Sequence, residues 1–299
     1  MVMTNIHVYA GHDAAPVAPV IRQIGPRQLA QALAKGAEDF RAMPSHIAFL
    51  CFVYPLCGLV LAYATSERNA LQLLFPLASG FALIGPFAAV FLYEMSRRRE
   101  LGLETSWKYA FNVLRSPSIP AIAAVGLLLV AIFVAWLMAA EGLYFWLFGA
   151  AAPTSYLDFL DEVVSTQRGW LLIGLGGFVG FCFAVVALSI SVVSFPILLD
   201  RDMGAAAAVA ASVRTVRENP VTMALWGFIV AAALLIGALP FFVGLAVIMP
   251  ILGHATWHLY REVIVRDPTQ EHPVESPPDG FGVSASERVA PHSFLFPER

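Results

Sequence analysis

The chain has 299 residues, 59% of them hydrophobic and only 13% charged, with a mean hydropathy of +0.72 and a formal net charge of −3. Soluble domains carry about 25% charged residues, so this composition excludes a water-soluble globular protein and makes an all-α integral membrane protein the expected fold class. The three cysteines, Cys51, Cys57 and Cys182, form no C-x-x-C pair and read as inert thiols in apolar stretches.

Residues 1–25 have no basic region followed by an apolar core, so no cleavable signal is expected, and they read as a disordered cytoplasmic leader. The membrane domain is expected over 26–265. It opens at Pro26 with LAQALAKGAEDFRAMP (29–44), which puts Leu33, Ala37 and Phe40 on one helix face, with Arg41 next and Pro44 as the stop. A span needs about 20 apolar residues, and the first two are expected at 47–64 and 72–93. Arg97, Arg98 and Arg99 follow as the strongest topology anchor and as a candidate hold on anionic lipid head groups.

SWKYAFNVLRSP (106–117) repeats the first pattern with Trp107, Phe111, Leu114, Arg115 and Pro117, the proline coming one residue early. A span at 120–140 follows. The outer segment 141–169 holds YLDFLDEVV (156–164), with Tyr156, Leu157, Leu160 and Val164 toward the membrane. Asp158, Asp161 and Glu162 then form a solvated acidic face rather than a cation site.

The span at 170–198 contains GLGGFVG (174–180). Val179 breaks the G-x-G-x-x-G nucleotide spacing, whereas Gly176 and Gly180 form G-x-x-x-G, a helix-packing motif within or between chains. Ser189, Ser191 and Ser194 either line a polar path or satisfy their own helix backbone. AAAVAASVRTVRENP (206–220) gives the third amphipathic stretch, with Val209, Val213, Val216, Arg217 and Pro220. Spans at 221–239 and 241–260 adjoin through a Gly and Pro turn in IGALPFF (236–242). Pro55, Pro76, Pro86, Pro196 and Pro250 fall within spans, where they break or kink a helix.

HATWHLYRE (254–262) places His254 and His258 one helical turn apart, the spacing of a two-histidine metal site. Ala255 stands where the general-base Glu of H-E-x-x-H belongs, and no second intramembrane histidine exists to pair with His254 on a haem. Trp257 and Tyr260 are therefore expected as an interfacial aromatic belt, with His258 at head-group level and His254 bonding to a neighbouring helix. No metal and no cofactor is expected. Residues 266–299 are Pro-rich and read as a disordered cytoplasmic tail.

Sixteen of the eighteen Lys and Arg residues fall on one side of the six spans, which puts both termini in the cytoplasm. The three amphipathic stretches divide the chain into three tandem units, each an amphipathic helix, a proline and a two-helix hairpin. All three hairpins run in the same sense.

The segments ALAKGAEDFRAMPSHIAFLC, GPFAAVFLYEMSRRRELGLETSWKYAFNVLRSPSI, SVVSFPILLDRDMGAAAAVAASVRTVRENPVTMALWG and LPFFVGLAVIMPILGHATWHLYREV closely resemble a family of bacterial inner-membrane proteins. It is known as domain of unknown function 2189, and the resemblance runs over roughly residues 22–265. Some relatives carry a cytochrome c oxidase subunit label, which implies at most an accessory role in a respiratory oxidase. The resemblance implies no catalytic residues and a multi-pass location in the bacterial inner membrane. No Ser/His/Asp set or phosphate-cradling loop is present, so an enzyme is not expected. The expected role is a non-enzymatic accessory or scaffold protein. Its partners would be membrane lipids and either another membrane protein or further copies of the chain, with no nucleic acid. The alternative is a transporter or channel for a small neutral or weakly polar solute.

Overall fold

The computed structural model describes residues 18–43, 58, 73, 75–77, 85–87, 89–149, 156–239 and 244–267. The spans expected at 47–64 and 72–93 lie outside these residues except for short pieces, as do the leader up to residue 17 and the tail from residue 268.

Helix α1 (Pro26–Ala42) starts where Pro26 supplies a preset φ, and the Gln28 side chain accepts from the Gly25 N–H at 3.0 Å to close its first turn. Its buried face is Leu29, Ala32, Gly36 and Asp39. The expected face of Leu33, Ala37 and Phe40 lies one residue round, and those side chains are only half-buried. The helix packs on α10 (Leu245–Val263). Gly36 sits at the crossing, where an added Cβ would lie 2.6 Å from the Ala255 nitrogen, so only glycine lets the two backbones touch.

The same one-residue offset recurs in the other two amphipathic stretches. In α8 (Ala205–Glu218) the buried residues are Ala208, Ala211, Ser212 and Thr215, with Val209, Val213 and Val216 half-buried beside them. In α3 (Trp107–Ala110) and the 3-10 turn Phe111–Arg115, Ala110 and Val113 are buried while Phe111 and Leu114 are exposed. Gly36, Ala110 and Ser212 thus share one register position in the burial pattern of the three stretches, and Asp39, Val113 and Thr215 the next. Helices α1 and α8 also end alike, at Met43 (φ −125°, ψ 59°) and Asn219 (φ −129°, ψ 50°). The middle copy ends a residue early at Ser116, as the early Pro117 demands.

Among the described residues, three helical stretches are long and apolar enough to cross a membrane: Ile119–Phe148, Gln167–Asp200 and Pro220–Ala238. The first is α4 and the last α9 (Pro220–Ala238). The middle one is divided into α6 (Gln167–Ser191) and α7 (Ser194–Asp200). Pro196 explains the division. It has no N–H for the Val192 carbonyl and its ring crowds that oxygen, so the helix breaks at Val192 and Val193. The freed Val193 N–H donates to Ser212 Oγ of α8 at 3.2 Å. Helices α4 and α6 lie antiparallel, with α5 (Tyr156–Ser165) between them in sequence. The expected sixth span corresponds to α10, which begins apolar but ends in a polar turn and falls outside the spanning set.

All of α7 is buried, including Phe195, Ile197 and Leu198. It forms the centre of the core, with Trp226 and Met223 of α9, Trp257 of α10 and Leu129 of α4 in the same apolar cluster. Segment 20–24 runs beside the end of α10 through an isolated bridge between Ile21 and Ile264. Asn219 and Thr222 pin it: Asn219 accepts from the Ile24 N–H at 2.8 Å, and Thr222 donates to the Ile24 carbonyl at 2.7 Å.

Candidate functional site

The site is built on α2 (Val90–Glu100), whose last two turns read Glu94, Met95, Ser96, Arg97, Arg98, Arg99, Glu100. Successive helical residues point about 100° apart, so this run sends charge in every direction. The polar side chains reach four other structural elements: α1, α7, α10 and the loop at Glu104.

The first nest surrounds Asp39 of α1, which is 3% exposed. Ser96 Oγ lies 2.5 Å from Asp39 Oδ2 and 2.7 Å from His254 Nδ1. His258 Nε2 lies 2.8 Å from the same carboxylate oxygen, and Arg99 donates to Oδ1. An ionised carboxylate only accepts. Ser96 therefore spends its one proton on Asp39, so His254 must carry its hydrogen on Nδ1 and donate to Ser96. His258 carries its hydrogen on Nε2. Burial pushes the Asp39 carboxyl up, but the hydrogen bonds from His258, Ser96 and Arg99 outweigh it and hold the group below its ordinary value.

The second nest surrounds Asp200 at the end of α7. Tyr260 donates its hydroxyl to Asp200 Oδ2 at 2.6 Å, and Arg261 approaches the same oxygen at 3.0 Å. Arg97 lies 3.6 Å from Oδ1 and 3.4 Å from Glu94. Glu100 accepts from Trp257 Nε1 and from Arg261 Nε, each at 3.0 Å. Arg201 donates to the Val265 carbonyl at 2.6 Å. Most of the charge in these nests is met by hydrogen bonds and opposite charge, the condition for keeping it buried, while the buried Asp200 Oδ1 and Arg201 Nε make no hydrogen bond among the described residues.

The expected site residues fall as follows. His254 and His258 lie in the same nest, with His254 Nδ1 against Ser96 and His258 Nε2 against Asp39. Trp257 and Tyr260 are 0% and 1% exposed, so they are core and not an interfacial belt. Of the triple arginine, Arg97 and Arg98 turn inward. Arg98 donates to the Glu104 carbonyl at 2.8 Å and lies over the Tyr109 ring, while Arg99 is the more exposed member and pairs with Asp39. Gly176 and Gly180 face α4, where added Cβ atoms would lie 3.6 Å from Leu143 and 3.1 Å from Trp136. Ser189 and Ser191 donate to the carbonyls four residues back at 2.7 Å, and Ser194 lies against the Ile190 and Ala208 carbonyls.

Sequence reading missed Asp39, Ser96, Glu100, Asp200 and Tyr260 as members. One signal was available. Pro196-Ile-Leu-Leu-Asp200 and Pro250-Ile-Leu-Gly-His254 are echoes of each other, and the fourth residue after each proline is a fully buried polar group at the heart of a nest.

The family model described as predicted integral membrane protein (DUF2189) matches residues 74–200. That match takes in the triple-arginine run, Gly176, Gly180 and Asp200, and does not reach α1 or α10. No curated protein and no solved structure matches the chain.

Proposed function

We propose that the chain is a non-enzymatic scaffold of the bacterial inner membrane, with six spans in three parallel hairpins and both termini cytoplasmic, that holds lipids or a partner membrane protein. One contrast carries this reading. The ends of α1, α2, α7 and α10 are tied by charged and hydrogen-bonded side chains, while α6 keeps only 6% of its most apolar stretch buried. Trp170, Phe178, Phe181 and Val185 of α6 stand exposed. A rigid polar base beneath a long bare apolar helix suits a protein whose work is contact inside the bilayer, since helix association there depends on packing and not on water exclusion.

The test is a photo-crosslinking residue at Phe178 in native membranes, followed by purification in mild detergent and mass spectrometry. The reading expects a stoichiometric crosslink to a membrane protein or to tightly held lipid. Recovery of uncrosslinked chain alone would overturn it.

The Pro196 break within a spanning stretch favours a second reading, a transporter for a small neutral or weakly polar solute. Solute uptake by liposomes carrying the purified chain separates the two, and no flux across a broad solute panel would remove the transporter.

A further inference from the structure

Arg41, Arg115 and Arg217 occupy one position in the three repeats. Each lies in the last turn of its helix, one residue after Phe40, Leu114 and Val216 respectively. All three are exposed, and none has an ion pair or side-chain hydrogen bond among the described residues. Arg97, Arg98, Arg99, Arg214, Arg261 and Lys35 are each paired with a carboxylate of the chain, whereas Arg22, Arg27 and Arg168 are exposed without a pair among the described residues, so it is the shared register that sets Arg41, Arg115 and Arg217 apart.

Depth supplies the second observation. Arg115 lies four residues before Ile119, where α4 starts, and Arg217 three before Pro220, where α9 starts. Both guanidiniums thus stand within a few residues of the start of an apolar stretch, at the level of lipid phosphates. Interaction with the helix dipole would need a cation somewhere in the last turn. It would not need the same register in all three copies, nor an apolar side chain immediately before it.

We propose that Arg41, Arg115 and Arg217 form three equivalent sites for the phosphate of an anionic phospholipid, one at the foot of each repeat. The guanidinium presents paired N–H donors to two phosphate oxygens, and beside Arg115 the exposed Leu114 enters the acyl boundary. The proposal rests on the scaffold reading and gives it a lipid class, yet the two fail separately: loss of crosslinked partner leaves the lipid ratio untouched, and an altered ratio leaves the crosslink.

The test uses the full chain in vesicles of equal phosphatidylglycerol and phosphatidylcholine, extracted in mild detergent, with retained lipid counted by native mass spectrometry. The parent is expected to enrich phosphatidylglycerol on the order of fivefold per site. Arg41→Gln, Arg115→Gln and Arg217→Gln combined should bring the ratio to that of the vesicle, the corresponding three Lys substitutions should keep most of it, and Arg214→Gln should leave it unchanged. An unenriched parent, or a triple Gln variant that enriches as the parent does, would overturn the proposal. So would loss of the enrichment on adding millimolar inorganic phosphate, which would assign the sites to a free anion.

Discussion

His258 Nε2 and Asp39 Oδ2 lie 2.8 Å apart although 219 residues separate them in the chain. This contact joins the first described helix to the last. It is seconded by Ser96 and Arg99 from α2, so one carboxylate holds three helices. Outside it, Lys35 and Glu262 form a more exposed pair at 3.3 Å.

Replacing Asp39 by Ala should remove the acceptor shared by Ser96, His258 and Arg99 and leave buried donors unpaired. The expected loss is about 3–5 kcal/mol of stability, the range for breaking a buried ion pair from one side. Lys35→Ala, at the outer pair, should cost less than about 1 kcal/mol. Chemical denaturation in detergent measures both, and equal losses would show that the Asp39 nest has no special weight.

The pH dependence follows from the same group. The Asp39 carboxyl is held below its ordinary value of 3.8 by hydrogen bonds that outweigh burial. Because the folded value is the lower one, its contribution is complete above 3.8 and drains as pH falls through the folded value. Amide exchange in α1 should therefore accelerate relative to α9 as pH drops below 3.8, and Asp39→Asn should flatten that difference. A variant with the parent's pH dependence would assign the loosening to another group.

Legibility in the sequence followed hydrophobicity closely and packing poorly. Runs of apolar residues mark α6 with α7, and α9, nearly to their ends, because a long apolar helix has few alternatives, while α4 runs on to Phe148, eight residues past the expected 120–140. The facing of α1 was missed by one residue. Leu33, Ala37 and Phe40 draw the eye, but the buried column runs through Ala32, Gly36 and Asp39, since small side chains permit the close approach to α10 and carry little hydrophobic signal. Trp257 and Tyr260 misled for a related reason. Aromatic residues near a polar helix end fit a membrane belt or a core equally well, and only the surrounding fold decides. His254 was legible as a group bonding to a neighbouring helix, but its partner, a serine 158 positions earlier, was not.

Gly36 tests the close approach directly. Gly36→Ala would put a Cβ 2.6 Å from the Ala255 nitrogen, where backbone and not a flexible side-chain end must yield. A loss of about 1–3 kcal/mol is expected, as for other overpacked sites. At Gly176 the nearest atom to an added Cβ is Leu143 Cδ2 at 3.6 Å, an ordinary contact, so Gly176→Ala should be close to neutral. Thermal unfolding of the two variants side by side reads the difference, and a destabilised Gly176→Ala with an unaffected Gly36→Ala would reverse the account of where backbones meet.

Ser212 is the last test, because it links the broken span to the third repeat. Its hydroxyl oxygen is the acceptor for the Val193 N–H at the Pro196 break, and the residue is fully buried. Ser212→Ala keeps the volume nearly constant and removes the acceptor, so a buried amide is left unsatisfied at a cost of about 1–3 kcal/mol. Pro196→Ala supplies the counterpart, since it restores an N–H at 196 and lets the Val192 carbonyl find a helical donor. With the helix able to run through 192–193, the Val193 amide no longer depends on Ser212. The double variant should therefore lose less than the sum of the two single losses, a coupling that denaturation of all four chains measures. Strict additivity would mean that Ser212 acts through α8 packing alone and not through the break.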